Sequence, residues 1–269
     1  MQKNFNFNFT EFYKLYALYF PQKESPSQEY LEWFIGFAEG NCSFQEGNGF
    51  ILIQRDKNED FLKTVQETFG FGDVHGFGYY GDEVCYVVRE REALYTLIAL
   101  FHRNLVLTSN RLNFMQLVAY YDYPADLYEN IPEWKAPLPS FETYWLSGLI
   151  DSLGYFHCSF HTSSNKYNLY FKLQAKLTGN PKYMRVISFL FGDDILAVAH
   201  AHSIRIRISG VEATEVVSKY LEKYPLRTKK AEAFKIWNNM RIYIQKNQHR
   251  KGPTRDILSS QAKILKYYN

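Results

Sequence analysis

Phe34-Ile-Gly-Phe-Ala-Glu-Gly-Asn-Cys-Ser-Phe44 and Leu146-Ser-Gly-Leu-Ile-Asp-Ser-Leu-Gly-Tyr-Phe156 read as two copies of one motif. Each copy is the end of an apolar helix running into a strand. Side chains four apart share a helical face. Gly36 and Gly40 in one copy, and Gly148 and Ser152 with Ser147 beside them in the other, therefore form small-residue stripes. Two helices so marked can pack backbone against backbone, which gives the motif a structural purpose as a repeat interface.

Pairing Gly36 with Gly148 sets an offset of 148 − 36 = 112 residues, and the elements after each copy run in the same order. The periodicity predicts a helix over 28–41, strands over 42–46 and 49–55, a helix over 59–68, strands over 74–80 and 83–89, and helices over 91–102 and 111–121. The second half predicts a helix over 141–153, strands over 155–162 and 167–177, a helix over 181–191, strands over 195–201 and 203–209, and helices over 211–224 and 228–245. This is an α+β fold of tandem pseudo-symmetric αββαββα repeats, with antiparallel sheets covered by helices on one face and the two motif helices joining the repeats. Residues 1–27 form an N-terminal extension, 28–122 the first repeat, 123–140 a linker holding Pro124, Pro132, Pro137 and Pro139, 141–245 the second repeat, and 246–269 a basic tail.

Both motif copies resemble the signature of the LAGLIDADG homing endonuclease and maturase family, in its two-repeat single-chain form. The run from Tyr224 to Trp237, with Lys229 and Lys230, looks like the lysine-bearing loop and closing helix of the family's second repeat, and Asn104 to Arg111 like the equivalent in the first. In that family the eighth motif position is normally the Asp or Glu that holds the catalytic divalent metal. Here it is Asn41 in one copy and Leu153 in the other. A neutral amide and an alkyl chain supply no charge to hold Mg²⁺ beside a polyanion. The resemblance therefore implies a nuclease-dead derivative, with no catalytic residues, no metal and no cofactor. Glu39 and Asp151, at the sixth position, should point roughly 200° away around the helix and are poor substitutes.

The net charge of +3 conceals an asymmetry. From Arg227 to Asn269 eleven Lys or Arg face only Glu232 and Asp256, a balance of +9, which leaves −6 for the remainder. A basic end on an acidic body is a footprint for phosphate. Alternation sends Leu169, Phe171, Leu173 and Ala175 inward and Tyr170, Lys172, Gln174 and Lys176 outward; next door Arg205 and Arg207 face out, and so do His157 and His161. That face carries no acid. It suits phosphates, base edges and stacked bases, with Lys229, Lys230, Arg241, Arg250, Lys251 and Arg255 as further phosphate contacts. The first half lacks such a surface, since its strands are apolar on both alternations.

Other chemistry is weakly signalled. Cys42, Cys85 and Cys158 have no C-x-x-C spacing, the histidines lie at strand rather than metal-helix spacing, and the glycines at 70, 72, 76 and 78 read as turns. No apolar run is long enough for a membrane span. The expected partner is structured RNA, either a group I intron bound by a maturase or the rRNA of an organellar ribosome, with duplex DNA as the alternative. The 22 Tyr and 22 Phe, more than the 15 Gly, fit AT-rich organellar codons, a mitochondrion more than a chloroplast.

Overall fold

Ser27 starts the first motif helix, its hydroxyl accepting from the Tyr30 amide at 3.2 Å. In the computed structural model, which describes residues 6–54, 59–77, 83–107, 110–123, 137–177, 181–250 and 252–269, this helix, α2 (Gln28–Asn41), follows a helix α1 (Thr10–Tyr19) and leads into β1 (Cys42–Gln45) and β2 (Gly49–Gln54). Next come α3 (Glu59–Phe69), β3 (Asp73–Phe77), β4 (Glu83–Val88), α4 (Arg91–Phe101) and α5 (Arg111–Tyr120). The second series is α6 (Trp145–Leu153), β5 (Gly154–Phe160), β6 (Tyr167–Lys176), α7 (Pro181–Phe191), β7 (Ala197–His200), β8 (Ser203–Ser209), α8 (Glu215–Lys223), α9 (Lys230–Gln245) and α10 (Pro253–Leu265).

The chain divides into two compact units, residues 1–139 and 140–269. Each holds one four-stranded antiparallel sheet, in order β1-β2-β4-β3 and β5-β6-β8-β7. The tandem αββαββα order is thus present, and the matching strand orders are the repeat seen in three dimensions. Pro132, near which the sequence places the boundary, lies outside the described residues.

Aromatic side chains build the first core. Phe34 of α2 meets Phe69 edge-on at 4.6 Å between centroids, and Phe44, Phe50 and Phe101 interlock at 5.2–5.6 Å. In the second unit Phe156 packs on Phe171 and Trp237 at 5.4 and 5.2 Å. The predicted inward set, Leu169, Phe171, Leu173 and Ala175 with Ile204, Ile206 and Ile208, is buried.

Both ends of the chain depart from the sequence expectation of an extension and a tail. Helix α1 is packed through Phe12, Leu15 and Tyr16, and the Asn104 side chain clamps the segment before it, accepting from the Asn8 amide at 3.0 Å and donating to the Asn8 carbonyl at 2.8 Å. At the other end Asn269 does the same to β5, accepting from the Phe156 amide at 2.7 Å and donating to its carbonyl at 2.9 Å. In each case one amide side chain satisfies both main-chain groups of a single residue that no strand pairs. Among the described residues no helix is long and apolar enough to cross a membrane.

Candidate nucleic-acid interface

The outward face of the second sheet is built by strand pairing. Register sets Tyr155 beside Lys172 and Lys172 beside Arg207; His157 beside Tyr170 and Tyr170 beside Ser209; Gln174 beside Arg205; and Lys176 beside Ser203. None of the four strands contains an Asp or Glu. The cations therefore settle on aromatic faces and neutral acceptors. The Lys172 ammonium lies 4.7 Å from the Tyr155 ring centre and the Arg207 guanidinium 3.9 Å from that of Tyr170. Tyr170 stacks on His157 at 4.5 Å. Arg205 donates to Gln174 Oε1 at 3.2 Å, and Arg207 to Ser209 Oγ at 3.1 Å.

Electrostatics carry the same message. Partial burial, then Arg205 and Arg207, hold the Lys172 ammonium below its ordinary pKa. Burial, then Arg207 and Lys172, lower His157. Groups whose charged forms are disfavoured by neighbouring cations are poised to receive an anion. His161, the last expected member, is exposed just past the end of β5.

The expected phosphate contacts divide. Arg250 is exposed and Lys229 half-buried, whereas Lys251 lies outside the described residues. Three others are corrected by the structure, because they are interior. Arg241 donates to Asn238 Oδ1 at 3.0 Å, inside a network with Ser218 and Glu222 that ties α8 to α9. Arg255 donates to the carbonyls of His249, His161, Ser164 and Lys166 at 2.7–3.1 Å, latching α10 to the β5–β6 hairpin. Lys230 donates to the Ile150 and Ser152 carbonyls at 3.4 and 3.0 Å, at the negative end of α6. Charge counted along the sequence cannot distinguish a cation offered to solvent from one that holds carbonyls together.

The small-residue set is mixed as well. Gly36 and Gly148 are buried, and Gly40 and Ser152 half-buried. Ser147 works inside its own unit, its amide donating to the Tyr220 hydroxyl at 2.8 Å and its Oγ to the Pro225 carbonyl at 3.1 Å.

The motif-helix ends show a pairing that the sequence did not reveal. Asn41 closes α2 and Leu153 closes α6. Just before them, the carboxylate of Glu39 accepts from the amides of Val106 and Leu107, the latter at 2.9 Å. The carboxylate of Asp151 accepts from the Arg227 and Thr228 amides at 2.7 and 3.4 Å and from the Thr228 hydroxyl at 2.6 Å. In each unit the sixth-position acid holds the loop that follows the third helix of the repeat, α4 in the first and α8 in the second. That acid is buried in both cases, and the next helix position that could serve a metal is an amide or an alkyl chain. The donor set does not fit the divalent metal that the family resemblance implies. Among the described residues no three His, Cys, Asp or Glu are grouped to hold a metal ion.

Cysteine chemistry offers no alternative. Burial pushes the Cys158 thiol up to about 12, and burial with the nearby Glu39 carboxylate raises Cys42 as well.

The sequence model of the LAGLIDADG endonuclease family matches residues 146–241, most of the second unit. The second unit therefore resembles a LAGLIDADG domain. Across both units the chain has the LAGLIDADG homing endonuclease fold: it is similar to I-GzeII in complex with its DNA target (TM-score 0.66, 12% identity, 86% of this chain and 97% of that one). It is also similar to I-SmaMI bound to cleaved DNA (TM-score 0.67, 14% identity, 89% and 97%) and to I-LtrWI bound to target DNA (TM-score 0.67, 15% identity, 87% and 97%). A curated relative, a probable intron-encoded endonuclease 4 of Neurospora crassa, is 27% identical over 218 residues, which span 78% of this chain and 39% of that relative. The LAGLIDADG resemblance and the fold expected from the paired motifs are thereby borne out.

Proposed function

We propose that this LAGLIDADG protein binds structured RNA and does not cut nucleic acid. One observation carries the second half of this: the helix ends that would have to present carboxylates present Asn41 and Leu153, while Glu39 and Asp151 are engaged in holding loops. Without an acid to gather a divalent cation, activation of water for phosphodiester hydrolysis has no support. The acid-free second sheet supports the first half. Cation–aromatic pairs beside histidine and amide side chains match unstacked bases and phosphates, and recognition of RNA by shape tolerates a one-sided surface.

An organellar setting, in a mitochondrion, as an intron maturase or a ribosomal component, fits the aromatic-rich composition and the intron-encoded relative. Binding of duplex DNA is the second reading, favoured by the DNA held in the structures that share this fold.

Competition at matched salt separates the two. RNA binding should survive an excess of duplex DNA, and displacement by DNA at equal concentration would favour the second reading. With Mg²⁺ or Mn²⁺ the protein should leave intron-flanking DNA uncut. Nicking by the unaltered chain would overturn the proposal of inactivity.

A further inference from the structure

Beside the sheet face lies a cavity of about 780 Å³ between β5 and α10, whose walls come entirely from the second unit. The nucleic-acid face is bordered on one side by β5, the edge strand of the order β5-β6-β8-β7. Its edge residues Tyr155 and His157 also line this cavity, so the face continues into it around the strand. Across from them α10 contributes Ser259 and Lys263, and Lys266 caps its end. Both lysines are exposed, and among the described residues Asp256 is the one acid in the lining.

The floor is main chain. Phe156 turns its amide and carbonyl away from β6, toward Asn269. Alternation along an antiparallel strand turns those of Cys158 the same way, into the cavity. The site thus offers lysine for phosphate, a hydroxyl and main-chain groups for base edges or a 2′-hydroxyl, and aromatic rings at the rim. Its volume lies within the ~300–1,000 Å³ usual for small-ligand sites, enough for a nucleotide or two of single strand and far too little for a duplex.

We infer that the β5–α10 groove holds a single-stranded RNA segment leaving the sheet face, with its phosphates on Lys263 and Lys266. This rests on the RNA-binding function proposed above. Helix α10 is then a wall of the binding site as well as a cover for the β5 edge, and Arg255 contributes by fixing that wall through the hairpin carbonyls.

The test uses the full chain and two probes, a blunt RNA hairpin and the same hairpin with a single-stranded overhang. The wild type should bind the overhang probe about tenfold more tightly. Lys263→Glu with Lys266→Glu should abolish that difference while leaving blunt-hairpin affinity unchanged. The same double variant should make the salt dependence on the overhang probe shallower by about 1.4, at about 0.7 per phosphate on a single strand. Lys172→Ala with Arg207→Ala should weaken both probes together. Equal affinity of the two probes for the wild type, or an unchanged overhang preference in the α10 variant, overturns the groove and leaves the sheet assignment intact. Failure of the wild type to bind either probe overturns both. Lys263 and Lys266 are exposed on α10, so folding is retained, and circular dichroism of the variant verifies it.

Discussion

The two sheets share strand order, antiparallel pairing and helix sequence, yet they turn different chemistry away from their aromatic cores. The second presents Tyr155, His157, Tyr170, Lys172, Gln174, Arg205 and Arg207 with no acid among its strands. On the first, the equivalent alternation carries Ile51, Cys85 and Val87, which form a buried apolar cluster with Ile53 packed against it, and strands that include Asp73 and Glu83. A fold can therefore keep its pairing and core twice over while only one copy retains a surface suited to a polyanion. Strand pairing depends on inward residues, and outward ones are free to diverge.

What the two units still share should give the largest effects. Asp151→Ala would leave the Arg227 and Thr228 donors without their acceptor, and Glu39→Ala those of Val106 and Leu107. Each should lower unfolding stability in urea by about 3 kcal/mol, since buried donors left unpaired cost about 1–3 kcal/mol each. A loss below about 1 kcal/mol for one of them would mean that the clamps are not equivalent.

The asymmetry itself predicts the next effect. Lys172→Ala with Arg207→Ala should cost roughly tenfold or more in RNA affinity and flatten the salt dependence by about 1–2. Gln45→Ala with His75→Ala on the first sheet should stay within about twofold. Equal losses, measured by filter binding across a salt series, would erase the distinction between the sheets.

Smallest are the pH effects, which should differ in kind between units. Burial, then Arg103, lowers His102 at the end of α4 to about 4. The unfolded chain takes up that proton below its ordinary 6.5 and the folded chain resists until about 4, so stability falls with pH across that window and is complete above it. After discounting for partial exposure the expected loss is about 1–2 kcal/mol, and His102→Gln should remove it from a pH series of unfolding midpoints. In the second unit, a bound polyanion would offset Arg207 and Lys172 and raise His157. RNA binding should then tighten about threefold as pH falls through the histidine range, a trend that His157→Gln would abolish.

Much of this architecture was legible because period and punctuation agreed. The apolar run over 28–41 gave α2, and strict alternation in Tyr167–Lys176 and Ser203–Ser209 gave both the strands and their outward sets. The terminal helices were missed although signals existed. Phe12, Leu15 and Tyr16 sit at helical spacing, and Gly252-Pro253 is a helix start followed by Arg255, Leu258 and Leu265 on one side. Basic charge in that stretch suggested a solvated tail instead. Arg241 and Arg255 were misplaced for a related reason, since the carbonyls that Arg255 binds come from a hairpin about ninety residues earlier in the chain. The roles of Glu39 and Asp151 needed the loops folded back upon them.

Those two carboxylates separate durability from chemistry. A fold whose helix ends were held together only by a shared metal would come apart once its ligands were lost. Here each helix end is riveted to a loop of its own unit by an acid two residues before position 41 or 153, so the loop is held without a carboxylate at either of those positions. Each clamp therefore works within its own unit and asks nothing of the residue that ends the motif helix.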